Sequence, residues 1–144
     1  MSIAAVNAAR YWIAESDPEP DHADRWLRNA RIVVLPMGHK WCAVKVPSEP
    51  GMAAVRAGLS GPVILDPRHF VYFPVPLGTD KSWLVPGTEC LADGDYLGVP
   101  GPEFTEGPGV HWLTLPTGSP SGSPSDGALV DPEALRAALT PPCP

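Results

Sequence analysis

Residues 61–115 read GPVILDPRHFVYFPVPLGTDKSWLVPGTECLADGDYLGVPGPEFTEGPGVHWLTL, and this stretch decides the fold. Short apolar runs alternate here with proline and glycine, which are tolerated at strand edges and in turns but not inside central strands. Two similar runs lie upstream. The pattern predicts a sheet of short strands, over residues 32–35, 41–46, 63–65, 69–75, 88–91, 96–99 and 110–115.

The way side chains alternate along these runs predicts how the strands pair. In the run over residues 41–46, Cys42 and Val44 fall on one face and Lys45 on the other, as in a half-buried antiparallel strand. The Asp93-Gly94 dipeptide predicts a hairpin turn between the strands at 88–91 and 96–99, because glycine supplies the positive φ that such a turn needs.

Helical patterns are fewer than strand patterns. Apolar residues spaced three and four apart predict helices over residues 2–16, 21–29, 48–57 and 131–139. The last of these begins with Asp131-Pro132-Glu133, which supplies an N-cap, a proline at the first helical position and an acid in the first turn. Residues 117–127, TGSPSGSPSDG, predict a flexible linker before that helix.

The predicted architecture is α+β, a largely antiparallel sheet with two or three helices on one face. A single domain is predicted over residues 1–116, followed by the linker and by a C-terminal helix with a proline-rich tail over 128–144. That helix is too short to be stable alone in water, so the stripe containing Leu135 and Leu139 must pack on a surface. We expect it to pack on its own domain, and docking on a neighbouring molecule is the alternative.

Composition restricts the class of protein. With 144 residues, 44% of them apolar and 18% charged, the chain has the composition of one ordinary globular domain. No run approaches the roughly 18 apolar residues of a membrane helix, and the first 14 residues do not form a secretory signal, so a cytoplasmic protein is expected. Cys42, Cys90 and Cys143 form no Cys-x-x-Cys pair, which argues against a disulfide framework and a zinc site and predicts two core thiols and one tail thiol.

Charge distribution restricts the partners. Residues 82–144 contain one basic and eight acidic side chains, which repel a phosphate backbone, so weak binding to duplex DNA is expected. The one basic segment, residues 25–45, contains Trp26 and Trp41 as candidate stacking platforms. The alternative is that its arginines form a solvated helix face and that both tryptophans lie in the core.

Acidic residues could form a metal site only if distant positions meet. Asp93 and Asp95 have the spacing of a metal-binding pair, but on either side of a glycine they are typical of a turn. Asp66 and His69 could join them in space, and nothing in the sequence requires it. No metal ligand and no cofactor is therefore predicted.

A series of short motifs carries a resemblance to a known family. Trp41 and the motifs GPVILDP, FPVPLGT, LVPGT, YLGVP and GPGVHWL occur in matching order in the later half of the primase-polymerase domain of bifunctional DNA primase/polymerase proteins. The chain resembles most closely the small, stand-alone actinobacterial members. The resemblance covers residues 31–115, and LVDPEALRAAL at 129–139 is a weaker match to the same family.

The resemblance implies a lost activity. Members that polymerise have an Asp-x-Asp carboxylate pair on an earlier strand, and here residues 40–65 contain Glu49 as the only acid. Two-metal phosphoryl transfer needs such carboxylates, so no catalytic residue is assigned and no primer extension is expected. His69 falls where the family has a phosphate-contacting histidine, and with Arg68 and Lys45 it forms the predicted nucleotide or phosphate contacts.

Three classes of function remain open at this point. The preferred interpretation is a non-catalytic binding or regulatory module that engages a protein partner or a nucleotide. The alternatives are a residual metal-dependent nucleotidyl-transfer or nucleotide-binding enzyme, and a self-associating structural protein, which would explain five tryptophans and many short strand edges. A protein partner or a homo-oligomer is expected, and the predicted contact residues are apolar, namely Trp26, Trp41, Trp83, Leu135 and Leu139.

Overall fold

The computed structural model describes residues 3–67, 69–120, 122 and 127–139. The helices in these residues are α1 (Ile3–Glu15), α2 (Pro20–Asn29), α3 (Ser48–Arg56) and α4 (Pro132–Leu139), with a short 3-10 helix at Thr79–Lys81. The strands are β1 (Ile32–Pro36), β2 (Cys42–Pro47), β3 (Val63–Asp66), β4 (Phe70–Val75), β5 (Glu89–Leu91), β6 (Tyr96–Pro100) and β7 (His111–Thr114). Every predicted strand and helix is present, with its described ends within one residue of the prediction.

The strands form two antiparallel sheets. Five of them are arranged in the order β5-β2-β4-β3-β7, and β1 pairs with β6 in a separate two-stranded sheet. The α+β prediction is therefore confirmed.

The predicted hairpin around Asp93-Gly94 is wrong, although the turn itself is present. Gly94 has φ +97°, and the Asp95 N–H donates to the Ala92 carbonyl at 2.9 Å. The strands on either side of this turn belong to different sheets, because β5 pairs with β2 and β6 with β1. Turn chemistry reverses the chain locally, but it does not determine which strands pair.

The helices lie in two pairs, one against each face of the five-stranded sheet. On one face α1 and α2 contribute to a first cluster, which contains Trp12, Ile13, Leu27, Val33, Leu35, Trp41, Ile64, Val99 and Trp112. On the other face α3 and α4 contribute to a second cluster, which contains Cys42, Val44, Val46, Ala54, Val71, Phe73, Trp83 and Leu135. Two or three helices were predicted on one face, with the C-terminal helix as a separate element, and the difference is that α3 lies with α4 on the opposite face. Both faces need cover because β2 is apolar on both, with Ala43 in the first cluster and Val44 in the second.

The C-terminal segment packs on its own domain, as expected. Leu129 lies in the first cluster, Val130 and Leu135 lie in the second, and the Val130 N–H donates to the Pro74 carbonyl at 2.7 Å. Residues 121 and 123–126 of the predicted linker, and residues 140–144 of the predicted tail, lie outside the described residues. The described part of the C-terminal region is thus integral to the fold.

In the part of the chain that the structure describes, no helix has the length and apolar character needed to cross a membrane.

Candidate functional site

Two of the three predicted phosphate contacts lie beside Phe70, at the start of β4. The Lys45 ammonium is 4.2 Å from the centroid of the Phe70 ring. The exposed His69 ring has its centroid 6.1 Å from the same ring. Arg68 lies outside the described residues. The structure therefore brings Lys45 and His69 to one aromatic side chain.

Strand register extends this group into a patch that we call the open face, made of Lys45, Asp66, Phe70, Tyr72 and Glu89. Lys45 pairs with Tyr72 on β4 and with Glu89 on β5, and Asp66 pairs with Phe70. Directly paired residues point to the same side of a sheet, as do residues two apart on one strand. All five side chains accordingly lie on the side of the sheet that carries the first cluster, and none of them is fully buried.

The electrostatics of the open face do not favour a phosphate. Burial, and to a smaller extent the nearby Asp66 carboxylate, raises the pKa of Tyr72 above its ordinary value, so the phenol stays protonated and can donate a hydrogen bond. Among the described residues of this face, the charged side chains are one ammonium, on Lys45, and two carboxylates, on Asp66 and Glu89. These residues offer a phosphorylated ligand no net positive charge.

The acidic residues that could have formed a metal site lie at opposite ends of the sheet. Asp66 pairs with Phe70, which pairs with Pro47 at the end of β2. Asp93 contacts Gly38, whose N–H bonds to the Trp41 carbonyl at the start of β2. At about 3.3 Å per residue, the length of β2 separates these two groups by roughly 16 Å.

Most of the apolar residues predicted to contact a partner lie in the interior instead. Trp41 is 1% exposed, and its Nε1–H donates to Ser16 Oγ at 2.7 Å. Trp83 is 7% exposed. Leu135 and Leu139 pack in or against the second cluster. This leaves Trp26, which is 45% exposed and stacks edge-on against His22, as the available aromatic residue of the predicted set.

Three exposed apolar side chains lie together on one side of the β1–β6 sheet. Ile32, Val34 and Tyr96 are 37%, 54% and 67% exposed, whereas Val33 and Leu35 between them are buried. Val34 pairs with Gly98, and the neighbouring pairs place Ile32 and Tyr96 on the same side. We call this surface the apolar ribbon, consisting of Ile32, Val34, Gly98 and Tyr96. It faces away from the first cluster.

The free edge of β1 borders the apolar ribbon. The Gly101 N–H donates to the Arg31 carbonyl at 2.8 Å, and the Met37 N–H donates to the Asp95 carbonyl at 2.9 Å. Backbone groups alternate in direction along a strand, so those of Ile32 and Val34 point away from β6. In the described structure this sheet has two strands, so their N–H and C=O groups face an unoccupied strand position.

Sequence reasoning missed this surface. The run IVVL reads as a strand buried on both faces, and no charged residue marks one side as exposed. The run contains no lysine or other charged residue of the kind that often protects an exposed strand edge. That absence could have indicated an edge open to a partner.

The chemistry that these features offer is binding. Among the residues that the structure describes, no group of three or more His, Cys, Asp or Glu side chains is placed to hold a metal ion. The open face combines two aromatic rings with a lysine, and the β1 edge combines backbone hydrogen-bonding groups with apolar side chains. Comparison of this chain with protein-family models, with curated proteins and with solved structures finds no match.

Proposed function

We propose that this protein is a non-catalytic binding module, related to primase-polymerase domains, that engages a protein partner by accepting a β-strand at the edge of β1. The observation that carries the proposal is the outward-facing backbone of Ile32 and Val34 at the β1 edge, beside the apolar ribbon. In such strand addition, main-chain hydrogen bonds supply affinity and alternate side chains supply specificity. The partner segment is therefore an extended strand with apolar residues at every second position.

The placement of the carboxylates supports a role without catalysis. Phosphoryl transfer by two metals requires ions about 3.5–4 Å apart, held by carboxylates on rigid elements. Asp66 lies far from Asp93 and Asp95, and Asp95 itself accepts a hydrogen bond from the Ala92 N–H at 2.9 Å. A turn-stabilising role accounts for Asp95.

The Val34→Pro substitution tests the β1 edge directly. Proline removes the outward-facing N–H of Val34, and it is tolerated at an edge position whose N–H is not used within the sheet. The probes are extended peptides of about ten residues selected by display against the folded chain, long enough to span the five residues of β1. We expect the selected peptides to have alternating apolar residues and to bind Val34→Pro at least tenfold more weakly, with little change in melting temperature.

The matched control is Leu84→Ser, because Leu84 is 88% exposed but lies beside Trp83 in the second cluster. Its peptide binding should equal that of the wild type. Peptides that bind Val34→Pro as tightly as the wild type would refute the proposal. If the wild type instead dimerises in sedimentation and Val34→Pro does not, the edge serves a second copy of the chain, and the self-associating alternative is correct.

A nucleotide on the open face is the second candidate function. The observation that favours it is the Lys45 ammonium over the Phe70 ring with Tyr72 on the same face, since aromatic rings stack on bases and lysine contacts phosphate. Given the flanking carboxylates, we expect weak, salt-sensitive binding of a nucleoside triphosphate in a fluorescence or NMR titration.

For that candidate, Phe70→Ala should abolish the nucleotide response and Val34→Pro should leave it unchanged. A response that survives Phe70→Ala would remove the open face as the site. Incorporation of nucleotides on a primed template would contradict the non-catalytic interpretation itself.

A further inference from the structure

An open cavity on the outer side of α2 lies close to the beginning of β1. It has a volume of about 330 Å³ and is lined by five residues, namely His22, Arg25, Trp26, Asn29 and Ala30. Pockets that hold whole small molecules span roughly 300–1,000 Å³, so this cavity is at the lower end of that range. The exposed ring of Trp26 is its large apolar group. The cavity therefore suits one large apolar side chain of a partner.

The chain itself connects this cavity to the β1 edge. Ala30 lines the cavity with an extended backbone, at φ −145° and ψ 159°, and β1 begins two residues later at Ile32. Although the chain bends at Arg31, two residues span at most about 7 Å. No described residue of β6 lines the cavity, so the cavity is not on the side of β1 that β6 occupies. A strand added at the free edge of β1 accordingly ends beside the cavity.

The cavity also carries a positive charge. Arg28 on the same helix is neutralised by Asp24, because its Nε lies 3.0 Å from a carboxylate oxygen of that residue. In the part of the chain that the structure describes, no carboxylate forms an ion pair with Arg25. An acidic group of a ligand can therefore accept a charge-assisted hydrogen bond from the exposed Arg25 guanidinium.

On the basis of the proposed strand addition, we infer that the accepted strand carries an aromatic residue that fills this cavity, followed within two residues by an acidic residue that pairs with Arg25. Every strand pair in the described sheets is antiparallel. The ligand is therefore placed antiparallel to β1, with its C-terminal end at the beginning of β1. Its aromatic residue is two positions C-terminal to the residue that pairs with Ile32.

Strand geometry places that aromatic residue at the cavity. Residues opposite each other in an antiparallel pair point to the same side of the sheet, as do residues two apart on one strand. The ligand side chains opposite Val34 and Ile32 therefore extend the apolar ribbon, and the next side chain on that side lies opposite Ala30, at the rim of the cavity. There its ring packs on Trp26, which contacts His22 edge-on at a centroid distance of 5.6 Å. Tryptophan and arginine are enriched among the residues that dominate the binding energy of protein interfaces.

The test uses peptides of about ten residues, which have a fixed core of alternating valine and threonine and randomised residues at both ends. Selection by display against the folded full-length chain should enrich an aromatic and an acidic residue in the C-terminal extension. Trp26→Ala should weaken the binding of a selected peptide about fivefold or more, the size expected for the loss of one aromatic contact. Trp26→Phe, which keeps a ring, should bind within about twofold of the wild type.

Two controls separate this contact from general effects on the helix. Arg25→Ala should weaken the same peptide about twofold or more, whereas Arg28→Ala, an equal loss of charge on the same helix, should leave its affinity unchanged. Replacing the aromatic residue of the peptide by alanine should lower its affinity for the wild type as much as Trp26→Ala does. The same replacement should cause no further loss in Trp26→Ala, because both changes remove one shared contact.

The Val34→Pro variant separates failure of this inference from failure of strand addition. Weaker binding to Val34→Pro together with unchanged binding to Trp26→Ala would leave strand addition standing and overturn the inference. Enrichment of the aromatic residue in the N-terminal extension would overturn it as well. Weaker binding to Trp26→Ala alone would mean that the cavity binds peptides without strand addition, which contradicts both proposals. A display experiment that selects no peptide would also contradict both.

Discussion

Truncation of the chain after Pro116 is expected to abolish cooperative folding. The removed segment includes Leu129, Val130 and Leu135, each at most 1% exposed, and these side chains fill parts of both clusters. Burying one such side chain contributes roughly 1.5–3 kcal/mol, so the three together contribute roughly 5–9 kcal/mol. The total stability of a domain is only about 5–15 kcal/mol. Thermal unfolding followed by circular dichroism would measure the effect.

Point variants separate the packing of α4 from the loss of chain length. Leu135→Ala should lower the free energy of unfolding by about 2–5 kcal/mol, because it leaves a cavity in the second cluster. Ala137→Ser, at an exposed position on the same helix, should change it by less than about 0.5 kcal/mol. A truncated chain with an unchanged melting temperature and lost self-association would instead make α4 an element that binds a neighbouring molecule.

Much of the fold was predictable because local chemistry determines where its elements begin and end. Pro36 and Pro47 each close an apolar run, and each is the last residue of a strand. Pro132 begins α4 after the capping Asp131, whose carboxylate accepts the Glu133 N–H at 3.2 Å. Such signals act within a few residues, so a single sequence is sufficient to read them.

Strand pairing was not predictable in the same way. The run from β5 through Asp93-Gly94 to β6 has the local pattern of a hairpin, yet β6 pairs with β1 and not with β5. The Trp112 Nε1–H also reaches the Pro100 carbonyl at the end of β6, at 2.7 Å. These contacts join residues that are distant in the sequence, and neither turn propensity nor periodicity contains information about them.

The same limit explains which candidate residues the sequence could identify. Lys45 and His69 were predicted with Arg68 as one set of phosphate contacts, and His69 precedes Phe70 in the chain, but only the pairing of β2 with β4 brings Lys45 over the Phe70 ring. The neighbouring positions of Cys42 and Cys90 also depend on register, because Cys90 pairs with Val44, two residues from Cys42 on β2. A residue's chemistry is visible in the sequence, but its neighbour across a sheet is not.

The tryptophans show that tertiary packing decides whether a given tryptophan lies in the core or on the surface. Trp26 and Trp41 occur in the same basic segment, and either could be a surface platform or a core residue. Trp41 precedes β2 on the side that α1 covers, where its ring lies 5.2 Å from that of Trp12. Trp26 lies on the outer side of α2, while Ala23 and Leu27 of that helix are buried.

Trp12→Ala is expected to have the largest effect of any single substitution in the first cluster. Trp12 is fully buried, and its ring lies 5.2 Å from Trp41 and 6.3 Å from Trp112, edge-on to the latter. Removing a buried tryptophan costs about 3–5 kcal/mol, because the apolar contacts are lost and the rigid neighbouring rings cannot close the cavity. Urea denaturation would show the decrease, and for a domain of this size the melting temperature should fall by about 10 °C or more.

Trp26→Ala is the matched control, since it removes the same side chain from a position that is 45% exposed. We expect it to change the free energy of unfolding by less than about 1 kcal/mol, in the range of surface substitutions. Equal destabilisation by the two variants would mean that the outer face of α2 is buried in solution, either within the domain or against another copy. In the latter case the effect of Trp26→Ala would grow with protein concentration, because association couples to stability by mass action. An effect of Trp26→Ala that does not depend on concentration would place α2 differently against the first cluster.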